Sequence, residues 1–286
     1  ADYAQLTEIH SNDKWFQLYQ VAVGVIAIYE PHQWQEVISY LIIGDNEALL
    51  FDTGNGIGDI YALVTNLTDK PISVLNSHSH YDHVGGNYAF KKLYGMDTDF
   101  TRARQSGQSN DAISIEVSTQ ALCAPLPIGV SEDNHIGRPY RITQTIEDGF
   151  IIDLGNRQLE VLHIPGHTDD AIALIDRAAR LMWTGDSFYA GPIWLYAPET
   201  DLTAYESSLR RLSTEIANVD WLLPAHNTPL AEAGILNDVL TSFEIMMDGN
   251  ATPVNRGDGM VEYLIPNEAR FSFLMRDEKL PYAEKP

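Results

Sequence analysis

The sequence predicts a single mixed α/β (α+β) domain over residues 1–286, built as two β-rich halves that each finish in helices. Three observations carry this. Hydrophobic residues make up 44% of the 286 and aromatics 10%, enough to bury a sizeable core. Runs of β-branched and aromatic residues, bounded by turn signals, alternate with segments of helical spacing. No linker, composition break or internal repeat divides the chain.

In chain order, residues 15–29 and 37–43 read as strands because large apolar and β-branched side chains dominate them. Gly44-Asp45-Asn46-Glu47 then turns the chain into a strand at 48–51, which Asp52-Thr53-Gly54 ends. Within 57–67, Ile60, Leu63, Val64 and Leu67 fall at helical spacing. A short apolar strand at 71–76 runs into Ser77-His78-Ser79-His80, and a helix is expected over 86–94. Residues 97–145 are less regular. A helix near 111–122 gives way to Pro125, Pro127, Gly129, Gly137 and Pro139, so the stretch 97–140 is expected as an insertion or lid. Strands return at 150–154, 159–164, 171–175 and 181–184, and helices at 201–217 and 232–247 flank a short strand at 221–223.

Composition narrows the function. Eighteen basic against 40 acidic residues leave a formal charge of −22, a field that repels nucleic acid and anionic membrane. Cys123 is the one cysteine, which excludes an intrachain disulfide and a cysteine-built zinc module. It lies outside every motif and is expected as a small buried hydrophobe. No apolar run reaches membrane-spanning length. The expectation is a soluble protein without nucleic-acid or membrane partners. The start at Ala1 without Met fits a periplasmic or secreted chain trimmed of a signal peptide, and fits a cytoplasmic one as well.

The chemistry concentrates in His78-Ser79-His80-Tyr81-Asp82-His83. Three of the nine histidines fall within six positions at a strand end, which chance does not readily give. In extended backbone His78 and His80 point to the same side and can share one ion. Gly85-Gly86 then lets the chain turn sharply. Three later strands end in Pro165-Gly166-His167-Thr168, Trp183-Thr184-Gly185-Asp186 and Leu223-Pro224-Ala225-His226. Each alone reads as a loop histidine or a turn-forming acid. Together they favour a metal site of imidazole and carboxylate, suited to zinc, iron or manganese. His163 reads as structural or as a neighbour of the ligands; His10, His32 and His135 read as surface or loop residues.

His-x-His-x-Asp-His followed by Gly-His, Gly-Asp and a late Ala-His resembles the metallo-β-lactamase-fold hydrolase superfamily, over Val37 to about His226. The resemblance implies an αββα sandwich, two β-sheets face to face with helices outside. It implies a first metal on His78, His80 and His167, a second on Asp82, His83 and His226, and Asp186 bridging both. Zinc is the expected metal, with iron or manganese as alternatives. It implies hydrolysis by a metal-bridging hydroxide, with Asp82 also handling its proton. Asp52 matches a family position that orients a ligand histidine, and an Asp-Thr-Gly turn explains it equally.

Asp at position 186 is the pattern of relatives resembling glyoxalase II, lactonases and phosphodiesterases, whereas the β-lactamases proper tend to carry Cys there or no ligand. The expected substrate is therefore a small ester-like carbonyl compound, a lactone, ester or thioester, with promiscuous β-lactam hydrolysis. His80 stands where redox di-iron relatives carry Glu, which favours hydrolysis over electron transfer. Phe188, Tyr189, Trp194 and Tyr196 are candidates for the pocket wall. The alternatives are a mononuclear-iron persulfide dioxygenase, a dedicated β-lactamase or phosphodiesterase of the same fold, and a non-catalytic metal scaffold.

Overall fold

In the computed structural model, which describes residues 2–266 and 268–276, period-two burial sorts the strands into layers. Along Ala48–Phe51, Leu49 and Phe51 join one core cluster while Ala48 and Leu50 join another. Along Ile172–Asp176, Ile172 and Leu174 meet Leu49 and Phe51, and Ala173 and Ile175 face away. Both strands are apolar on both faces, as strands covered on both sides must be. The central core therefore lies between two sheets. A second core, beneath Ile60, Leu63 and Val64 of the helix Ile60–Leu67, covers the outside of the first sheet. A third, with the helices Leu202–Glu215 and Ile235–Met247, covers the outside of the other. The architecture is the αββα sandwich.

Among the described residues, eight strands make the first sheet in chain order, from Thr7–Ile9 to Gln144–Ile146. Pairing is antiparallel as far as Ala48–Phe51 and parallel from there through Ile72–Leu75 and Leu93–Met96. The second sheet runs Ala231–Glu232, Trp221–Pro224, Leu181–Gly185, Ile172–Asp176, Gln158–His163 and Ile151–Asp153. Register places the site. Phe51 pairs with Leu75, so Asp52 and the loop after Asn76 emerge side by side. Gly185 pairs with Pro224, which sets Asp186 beside His226. The sheets are stitched at this edge by Ile172 N–H to Ser77 O at 2.8 Å and Ile38 N–H to Ala225 O at 2.7 Å.

A third sheet was not foreseen. The strand Gly191–Trp194 pairs in parallel with Phe271–Arg276, which continues through Met260–Leu264 to Thr252–Gly257. Other expectations need correction. Residues 15–29 form two strands, Gln17–Ala22 and Val25–Tyr29, joined at Gly24 with φ +67°. The expected helix over 86–94 is a 3₁₀ turn, Asn87–Ala89, and a strand, because Leu93 and Tyr94 pair with Val74 and Leu75. The helix near 111–122 is a turn of α-helix, Asn110–Ile113, followed by a 3₁₀ turn, Ser114–Val117, rich in helix-poor β-branched residues. Cys123 is exposed, its thiol on the Pro31 carbonyl, and His135 is buried. No helix among the described residues is long and apolar enough to cross a membrane. Ala1, on which the trimmed-start expectation rests, lies outside the described residues.

Candidate metal centre

The seven side chains singled out from the sequence converge at this edge. His78 and His80 follow the strand Ile72–Leu75, and Asp82 and His83 sit on the single helical turn Tyr81–Val84. His167 rides the turn before Ile172–Asp176, Asp186 follows Leu181–Gly185 and His226 follows Trp221–Pro224. His78 Nε2 and His167 Nε2 lie 2.9 and 3.0 Å from His80 Nδ1. Asp186 Oδ2 stands 3.5 Å from His167 Nε2 and 4.0 Å from His78 Nε2. Its other oxygen, Oδ1, is 3.4 Å from His83 Nε2 and 3.1 Å from His226 Nε2. Asp82 Oδ2 completes that second group, at 3.3 Å from His83 Nε2 and 3.6 Å from His226 Nε2.

The opposite edge of each ring decides what these atoms are. His167 Nδ1–H donates to the Trp194 carbonyl at 2.9 Å, and His226 Nδ1–H to the Gln35 carbonyl at 2.7 Å. His80 Nε2–H donates to Glu199 Oε1 at 2.8 Å, and His83 Nδ1–H to Asp52 Oδ2 at 3.0 Å. Ser77 Oγ–H donates to Asp52 Oδ2, so Ser77 Oγ itself accepts from His78 Nδ1–H at 3.0 Å. In its neutral form each ring spends its one N–H outward and turns a lone pair inward. Lone pairs about 3 Å apart repel unless a cation lies among them.

The donor set therefore fits divalent metal. His83 Nε2 and Asp186 Oδ1 are buried without a hydrogen-bond partner. Among the described residues, Asp82 and Asp186 are buried carboxylates whose ion-pair partners are histidines, with no Lys or Arg. Donors around a tetrahedral zinc stand about 3.4 Å apart, and the observed separations bracket that value. Burial holds His78 well below the usual imidazole range and pushes His167 down to about 4, so both stay neutral, as ligands must. Burial would lower His83 and His226 too, but the Asp82 and Asp186 carboxylates hold His83 well above its ordinary value and raise His226 as well. Among the described residues, no Cys or Glu enters the set.

Above these groups opens a cleft of about 520 Å³. Tyr189, Trp194 and Tyr196 line it. Phe188 does not: it is fully buried against Phe271, on the core side of its strand end. The sequence reading missed Trp34, whose ring lies 4.9 Å from Trp194, and Tyr81, which lies inside the motif itself. It also missed Arg104 and Glu116, which the 97–140 stretch brings to the cleft, and Glu199. Glu116 accepts from Trp34 Nε1–H at 2.9 Å and is raised by burial, while the His80 bond draws Glu199 down to about 2. His163 bonds the Asp169 carbonyl, away from the cluster.

Comparison with known proteins places this geometry. The metallo-beta-lactamase superfamily family model matches residues 33–250. The chain is 26% identical over 234 residues to acyl-coenzyme A thioesterase MBLAC2 of Bos taurus, covering 74% of this chain and 81% of that one. It is 24% identical over 203 residues to the probable metallo-hydrolase YqgX of Bacillus subtilis, covering 71% and 87%. The solved archaeal metallo-beta-lactamase superfamily protein of Sulfolobus tokodaii shares the fold at TM-score 0.54 and 18% identity, over 82% of this chain and 90% of that one. With the family matched over more than half its length, the chain belongs to the metallo-beta-lactamase superfamily and is a hydrolase of that superfamily.

Proposed function

We propose that the protein hydrolyses a small ester-like carbonyl substrate, a lactone, ester or thioester, at a centre for two divalent metals, zinc first among them. The observation that carries this is Asp186, whose two oxygens face two separate donor groups. A single-iron oxygenase or a structural zinc has no use for that second group. His78, His80 and His167 would hold one ion with Asp186 Oδ2, and Asp82, His83 and His226 the other with Oδ1. Bound there, divalent cations supply Lewis acidity toward a carbonyl oxygen and acidify water at neutral pH.

The rest falls to the chain itself. Asp82 lies on the cleft floor with Gln35 Nε2–H donating to its Oδ2 at 3.0 Å, a carboxylate placed to hold or pass the proton of attacking water. Trp34, Tyr81, Trp194 and Tyr196 form an aromatic wall that receives an apolar acyl part and excludes bulk water. The 97–140 stretch serves as a wall of the cleft through Arg104 and Glu116. The thioesterase name carried by MBLAC2 supports the ester-like class.

Metal content by elemental mass spectrometry, followed by a lactone, ester, thioester and β-lactam panel, tests the reading. Two ions per chain and turnover on one of the first three substrates are expected. Asp186→Ala should lose at least one ion and more than about 100-fold in rate. Full metal content and full rate in that variant would sink the proposal.

A further inference from the structure

His80 stands apart among the five clustered histidines. It turns Nδ1 inward where His78, His83, His167 and His226 turn Nε2. Its side chain is 18% exposed, whereas the other four are buried. The others are anchored by backbone carbonyls, those of Trp194 and Gln35, or by the buried side chains of Ser77 and Asp52. His80 is anchored by Glu199, 119 residues away in sequence and itself 20% exposed. That carboxylate is steadied in turn. Arg104 Nη2 stands 3.5 Å from the same oxygen, Glu199 Oε1. The Arg104 guanidinium lies 4.5 Å over the Phe100 ring, and Phe100 meets the His80 ring edge-on at 5.5 Å. The helix Asp99–Arg104 and the segment after Gly191–Trp194 thus close around one imidazole. No motif in the sequence contains either contact.

We infer that Glu199 is the positioning residue of His80, and that Arg104 fixes Glu199 for that task. This rests on the reading of His80 as a metal ligand. By accepting Nε2–H, the carboxylate selects the tautomer whose Nδ1 lone pair faces His78 and His167. By gripping the outer edge of a partly exposed ring, it also stops the ring turning away. Without Glu199, water satisfies either nitrogen and both tautomers and both ring orientations are open to His80. The cost falls on the ion held by His78, His80 and His167, and leaves the ion of Asp82, His83 and His226 in place.

The test compares full-length wild type, His80→Ala, Glu199→Ala and Glu199→Gln for metal content, stepwise affinity by chelator competition, and the visible spectrum after cobalt(II) loading. Glu199→Ala is expected to weaken one of two ions by about 10–100-fold and to alter the spectrum of one cobalt only. Glu199→Gln, whose side-chain carbonyl still accepts from Nε2–H, should recover much of that affinity. Glu199→Ala holding both ions as wild type does, or losing both in parallel, would overturn the assignment. Full metal content in His80→Ala would instead remove the ligand reading beneath it.

Discussion

Asp52 shows how much one residue arranges. Its φ of +64° lies in the left-handed region, which costs a non-glycine residue about 1 kcal/mol. That backbone aims the carboxylate back at the next strand end. Oδ1 accepts from Ser77 N–H at 2.7 Å, while Oδ2 accepts from Ser77 Oγ–H at 2.9 Å and His83 Nδ1–H at 3.0 Å. Its geometry suits both readings, the left-handed turn and the carboxylate that holds the His83 ring. Asp52→Gly separates them, relieving the backbone and deleting the carboxylate. Metal affinity at the Asp82, His83 and His226 position is expected to fall about 10–100-fold while the fold survives, as read by chelator competition and circular dichroism. Affinity equal to wild type would show that Asp52 is a turn former alone.

At the scale of elements, the site depends on how closely strand ends meet helices. Gly166, with φ +145°, has its would-be Cβ 2.3 Å from Tyr205 Cα, and its carbonyl accepts from Asp201 N–H at 2.8 Å. The helix Leu202–Glu215 therefore begins on the turn that carries His167. Gly166→Ala should lower stability by about 1–3 kcal/mol and reduce metal content, because either the helix or His167 must shift. Gly129→Ala is the control: its φ of +93° is equally left-handed, but nothing lies within 4 Å of the added carbon. Thermal melts and metal content of the pair check this, and equal behaviour would refute it. The same packing explains what the sequence made legible. His78, His80, His83, His167, Asp186 and His226 each follow a strand that apolar runs and turn residues declare locally. Trp34, Arg104, Glu116 and Glu199 carry no such local mark, since only the closing of distant segments brings them to one cleft. Phe188 erred the other way, because proximity to Asp186 in sequence does not say which side of a strand end faces the core.

At the scale of the whole molecule, the −22 charge lies mostly where water screens it, and Glu30 is an exception of consequence. It is 2% exposed, with Oε2 accepting from Trp15 Nε1–H at 2.7 Å and Oε1 from Asn55 N–H at 3.0 Å. Burial raises its pKa from 4.5 to about 7, against the pull of those two bonds. A carboxyl raised on folding contributes stability that is fully present below its unfolded value of 4.5 and is lost as pH climbs through 7. The loss comes to about 3 kcal/mol across that window. Glu30→Gln carries no proton to lose, so it should be less stable than wild type at pH 5, where its amide mismatches one donor, yet close the gap by pH 8. Denaturant unfolding of both proteins at the two pH values, with equal excess zinc, measures this. The difference between them cancels the proton linkage of the clustered histidines and carboxylates, which they share. Parallel pH profiles would mean that Glu30 keeps its proton in neither state and that its burial has no part in the pH dependence of the fold.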